Sequence, residues 1–110
     1  MEKASPITVE LDEMVLRELQ EMASHTGQAL NALLLELTQE ALRIRRYPGI
    51  VFTEGPAGRR ATLMGPGLDV WEVIGVYWGC DQDRETTLSI LGQLTEQDLE
   101  VALAYYQAYP

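Results

Sequence analysis

Ile7, Val9 and Leu11 alternate with Thr8 and Glu10 along the tract Pro6–Leu11, the period-2 pattern of a half-buried strand. The period then lengthens. Val15, Leu16, Leu19, Met22 and Ala23 recur at three-to-four spacing and predict a helix over about 13–25. Asp12 can cap it, and Glu13 suits its first turn. Gly27, in His25-Thr26-Gly27, supplies the left-handed residue that ends it. Leu30, Leu33, Leu34, Leu37, Ala41, Leu42 and Ile44 give a second helix, about 29–46, a broad apolar face. This is the strongest helical pattern in the chain.

Tyr47-Pro48-Gly49 breaks that helix. Two short apolar runs, Ile50–Phe52 and Ala61–Met64, flank a Gly- and Pro-rich turn and predict a small hairpin. After Gly65-Pro66-Gly67, a helix over about 69–78 is expected with Val70, Trp71, Val73, Ile74 and Tyr77 mostly buried. Asp83 is placed to cap a short helix ending near Gly92. Thr95 and Asp98 form a variant of the capping box for a last helix whose core stripe is Leu99, Ala102, Leu103 and Tyr106. The expected class is mainly α with a short β-ribbon. Residues 1–46 form one half, and residues 47–110 form a small hairpin/three-helix domain.

A lone strand leaves its backbone groups unpaired along both edges, and a strand with two helices cannot bury enough apolar surface by itself. Both defects vanish if two copies combine, their strands pairing as an antiparallel ribbon under four helices. "ITVELDEMVLRELQEMA" followed by "TGQALNALLLELTQEAL" resembles the ribbon-helix-helix family, the fold of the Arc, MetJ and CopG repressors. The resemblance implies a homodimer with Ile7, Val9, Leu11, Leu30, Leu33, Leu34 and Leu37 in a shared core. It also implies that Lys3, Thr8 and Glu10 face DNA from the ribbon side and Gln28 from the start of the second helix. The alternative is a strand that joins another sheet, such as the 50–64 hairpin. Glu10 could accept from a cytosine amino group, but it also brings negative charge towards phosphate. The fold resemblance is therefore stronger than the DNA-reading one.

The second half resembles a small helix-turn-helix domain family of unknown function, antitoxin-like of the VapB type. "YPGIVF", "GRRATLMGPGLDVWEVI" and "LTEQDLEVALAYY" carry the match. The resemblance implies a protein partner, a PIN-type toxin nuclease that such antitoxins wrap and inhibit. The last helix makes a poor recognition helix, because Glu96, Gln97, Asp98 and Glu100 occupy its exposed positions where basic or amide side chains would read a groove.

Charge sharpens this picture. The net charge is −9, yet Arg43, Arg45, Arg46, Arg59 and Arg60 gather in residues 43–60 against a single acid, Glu54. Arg45, Arg46, Arg59 and Arg60 are candidates for docking an acidic partner surface; the plainer reading is arginines that offset neighbouring acids. The acidic balance opposes phosphate, so DNA binding, if any, is expected to be weak. "GPAGRR" lacks the Lys-Ser/Thr ending of a P-loop. "DQDRE" fails as a calcium loop, with Thr86 in the glycine position and Gly92 in the glutamate position. One histidine, His25, and one cysteine, Cys80, supply neither a triad nor a zinc site within a chain. Trp71, Trp78 and Tyr105, Tyr106 and Tyr109 are read as core and interface rather than a base-stacking platform. No catalysis, cofactor or metal is expected. A single cysteine, no apolar run near the ~18 residues of a membrane span and a start without a signal-peptide core point to a cytoplasmic protein.

The leading functional expectation is an antitoxin-like or transcriptional-regulator-like homodimer. The alternative is a protein-binding dimerisation module that has lost DNA.

Overall fold

The computed structural model describes residues 6–56 and 58–110. It is mainly helical, with one two-stranded antiparallel sheet among those residues. Two compact units emerge, residues 1–38 and 39–110. The division falls inside the second helix, about two turns before the Tyr47 break expected to mark it.

In the first unit, α1 spans Glu13–Thr26. Asp12 caps it, accepting from the Val15 N–H at 2.9 Å. Gly27, at φ +70°, closes it. α2 runs Leu30–Arg46. Leu19 and Ala23 of α1 are buried with Leu33 of α2, and Leu30, Leu34 and Leu37 pack around them. That small cluster is narrower than the stripes predicted. Val15, Leu16 and Met22 remain exposed on α1, as do Leu35, Leu42 and Ile44 on α2.

The tract 6–12 carries no regular secondary structure within one chain. Ile7 is 91% exposed and Val9 71%. The sheet contains only the hairpin strands among the described residues.

The second unit is built on the hairpin β1, Ile50–Gly55, and β2, Gly58–Leu63. The register runs from Ile50↔Leu63 at the base to Gly55↔Gly58 at the tip. Gly58 takes φ +111°, a conformation that glycine adopts without a Cβ clash. At the base, the Leu63 N–H donates to the Leu68 carbonyl at 2.8 Å and the Gly67 N–H to the Leu63 carbonyl at 2.9 Å, which turns the chain into α3, Val70–Gly79. α4 covers Arg84–Ile90 and α5 covers Glu96–Ala108. Thr95 and Asp98 cap α5 reciprocally: the Asp98 N–H donates to Thr95 Oγ1 at 3.1 Å and the Thr95 N–H to Asp98 Oδ2 at 3.0 Å.

Ile50 and Leu63 stand opposite each other and are fully covered by Val73 and Ile74 of α3, Leu99, Ala102 and Tyr105 of α5, and Leu94. Each buried valine, leucine or isoleucine here contributes roughly 1.5–3 kcal/mol by leaving water. Three expectations are corrected. Trp71 is 69% exposed and Trp78 57%, because α3 turns Val70, Val73 and Ile74 inward and residues 71 and 78 lie on another face. Tyr106 of the predicted α5 stripe is half-buried, and Tyr105 takes the core place beside it. Asp83 stands at the start of α4, but its side chain accepts from the Thr86 hydroxyl rather than from the helix backbone.

Candidate functional site

A cleft of about 220 Å³ lies between the hairpin, α5 and the start of α3. Its cations are Arg43, Arg59 and Arg60, and Phe52, Trp71, Tyr105, Tyr106 and Tyr109 supply aromatic walls. Arg59 and Arg60 are adjacent on β2, so their side chains leave opposite faces of the strand. Arg59 forms a two-pronged pair with Glu40, Nε to Oε2 at 2.6 Å and Nη2 to Oε1 at 2.8 Å. It also donates to the Phe52 carbonyl at 3.2 Å and lies 3.6 Å from Glu54.

Arg60 places Nε 3.0 Å from Asp69 Oδ2. The other oxygen of Asp69 accepts from the Thr62 hydroxyl at 3.3 Å, and that hydroxyl meets the Thr53 hydroxyl at 2.8 Å. The Asp69 N–H donates to Glu72 Oε1 at 3.2 Å at the head of α3. Arg60 therefore pins the hairpin to the start of α3.

Arg43 is held differently. Its Nη1 donates to the Tyr105 hydroxyl at 3.1 Å, and its guanidinium lies 4.1 Å from the centre of the Tyr109 ring. No carboxylate pairs with it among the described residues. Tyr47, Tyr105 and Tyr109 contact one another, with centroids 5.0–5.9 Å apart. Arg43 is a site residue that the sequence pattern does not single out. The arginine–tyrosine cluster joins positions 62 apart in the chain, which no local pattern reveals.

The four arginines chosen as a docking patch thus divide. Arg59 and Arg60 are committed to Glu40, Glu54 and Asp69. Arg45 and Arg46 are exposed at the end of α2, with Arg46 5.8 Å above the Tyr47 ring. Among the residues selected as DNA-facing, Lys3 lies outside the described residues, and Thr8 and Glu10 are exposed on the irregular tract. Gln28 accepts from the Thr26 hydroxyl at 2.9 Å through its side chain. The backbone N–H groups of Gly27 and Gln28 both donate to the Ala23 carbonyl. In one chain these two donors close α1 instead of facing a phosphate.

Of the selected dimer-core residues, Leu33 is buried within its own chain, Leu30, Leu34 and Leu37 are half-buried, and Ile7, Val9 and Leu11 are exposed. Asp81, Asp83 and Glu85 do not converge; no group of three metal-ligating side chains occurs among the described residues. His25 is exposed in the last turn of α1, and Cys80 is half-buried. No described helix is long and apolar enough to cross a membrane. No protein-family model matches the chain, and neither does any curated protein or solved structure.

Proposed function

We propose that this protein is a homodimeric, antitoxin-like regulator. Its first unit and the 6–11 tract form a ribbon-helix-helix dimerisation half, and its second unit engages a partner protein such as a toxin nuclease. The observation that carries this reading is the poverty of the first unit. Three side chains, Leu19, Ala23 and Leu33, are its buried core, while Ile7 and Val9 stand in solvent one strand repeat apart. Pairing that tract with its copy would satisfy its backbone on one edge and cover its apolar face. Folding and association are then linked. The reading includes no catalytic step, and a cytoplasmic setting accompanies it.

DNA contact is a minor part of this function. Glu10 alternates with the apolar row and so faces outward from a ribbon, twice per dimer. The chain carries a net charge of −9. These two facts favour a second reading, in which the dimer has kept its scaffold and lost DNA altogether. A pulldown from native lysate, with and without nuclease treatment, tests both. A stoichiometric protein partner that survives nuclease is the expected result. Recovery of nucleic acid alone would replace this reading with that of a repressor.

A further inference from the structure

The second unit presents an aromatic ridge that its own fold leaves uncovered. Trp71 and Trp78 are seven residues apart on α3 and share one face, about 10 Å apart along the helix. Both pack edge-on against Tyr106 of α5, with centroids at 5.9 and 6.3 Å. Tryptophan is highly buried on average, yet these two are the chain's only tryptophans and both are exposed. Gly75, between them, leaves open space where a side chain would stand.

The Trp78 end of the ridge has a distinct construction. Trp78, Asp81 and Gln82 line an open recess. Asp81 and Gln82 sit at φ +54° and +61°, two consecutive non-glycine residues in the left-handed region. Such placement is strained for a residue with a Cβ and collects at binding sites more than elsewhere. Backbone bonds hold it: the Asp81 N–H donates to the Trp78 carbonyl at 3.1 Å, Gln82 to Tyr77 at 2.8 Å and Asp83 to Cys80 at 3.1 Å. The Asp81 carboxylate has no hydrogen-bond or ion-pair partner among the described residues. Its acidic neighbours Asp83 and Glu85 strengthen the field, and Arg84, the one cation in residues 61–110, lies 3.5 Å from Glu100.

We propose that this ridge is a docking surface for a basic, apolar-anchored segment of a partner protein. A lysine or arginine of that segment sits over the Trp78 indole and pairs with Asp81, while its apolar side chains cover Tyr106 and Trp71. An indole face attracts a cation, and a carboxylate held beside it adds a charge-assisted hydrogen bond. An acidic partner would meet repulsion at this recess. The inference does not depend on the dimer, because every residue it uses lies in the second unit, and the ridge shares Trp71 and Tyr106 with the wall of the arginine cleft.

Because both tryptophans lie on the ridge, their emission reports occupancy directly. The full chain is titrated with a blocked amphipathic helical peptide of leucines and arginines, and with its leucine–glutamate counterpart. The arginine peptide is expected to bind and shift the emission to the blue, and the glutamate peptide is not. Asp81→Asn removes the charge while asparagine still tolerates the left-handed conformation. It should weaken binding about three- to fivefold and flatten its salt dependence. Trp78→Ala should weaken binding at least as much, read through Trp71. Glu96→Gln, an equal charge change at the start of α5, should leave affinity unchanged. Equal binding of the two peptides would overturn the proposal. So would an Asp81→Asn affinity equal to wild type, or equal losses in Asp81→Asn and Glu96→Gln.

Discussion

Removing the pair between Arg59 and Glu40 decides whether the basic island is structural or available to a partner. Arg59→Met keeps the aliphatic stem, and Glu40→Gln keeps the shape of the acceptor. The pair is a two-pronged fork at 2.6 and 2.8 Å, with side chains 32% and 14% exposed. An exposed pair contributes about 0.2–1 kcal/mol, whereas breaking a fully buried one costs about 3–5 kcal/mol. The fork lies between these limits, nearer the surface limit because Arg59 retains contact with water. A coupling energy of about 1–2 kcal/mol follows from that position. The contact with Glu54, at 3.6 Å to a largely exposed partner, adds little. Arg59→Met alone should cost about 2 kcal/mol, since it also strips a donor from the Phe52 carbonyl. The assay is urea unfolding of wild type, both single variants and the double variant, followed by far-ultraviolet circular dichroism. Protomer concentration is held fixed, because any self-association would contribute to apparent stability. A coupling energy below about 0.3 kcal/mol, the scatter expected of independent sites, would refute the reasoning. It would return Arg59 to the set of arginines that a partner's acids can claim.

Leu99 is fully buried where α5 meets the hairpin and α3; Leu99→Ala should cost about 2–5 kcal/mol in the same unfolding assay. Arg45→Glu with Arg46→Glu reverses two exposed charges in the last turn of α2, where cations favour the helix dipole, and should cost about 1–2 kcal/mol of stability; a protein captured through this end of α2 should bind the variant more weakly by calorimetry, and unchanged affinity would remove these arginines from the docking surface. Wild-type protein should bind DNA from upstream of its own gene no more tightly than the ~10⁻⁴–10⁻⁶ M of non-specific contact at physiological salt. Glu10→Arg should tighten that binding and steepen its salt dependence; selective wild-type binding lost in the variant would show that Glu10 reads a base.

Elements announced by local chemistry were legible in the sequence. Asp12 and Gly27 bracket α1, and Thr95 with Asp98 opens α5, because a cap is a contact between residues three or four apart. The faces of the helices were less legible. α3 is apolar on nearly every side, so periodicity could not tell that Val70, Val73 and Ile74 turn inward and Trp71 outward. Leu42 and Ile44 match the α2 stripe yet stay exposed, since a stripe records what can be covered and not what covers it. The arginine cleft was half legible. Arg59 and Arg60 stood out by charge, but their acids come from Glu40 and Asp69, which only the fold brings near. Arg43 owes its place to Tyr105 of α5 and to Tyr109 just past its end, far along the chain. The left-handed pair Asp81–Gln82 carried no glycine signal at all.

The central claim is that the first unit completes its fold only with a second copy. Sedimentation equilibrium of the full chain over a wide dilution series, with circular dichroism on the same samples, tests it most directly. The account predicts a mass of two chains, with helical signal falling as dilution separates them. Leu34→Glu, a charge placed at a half-buried position beside Leu33, should shift dissociation to higher concentration by several kcal/mol in linkage terms. A monomer that keeps its full helical signal at every concentration, in wild type and variant alike, would contradict it.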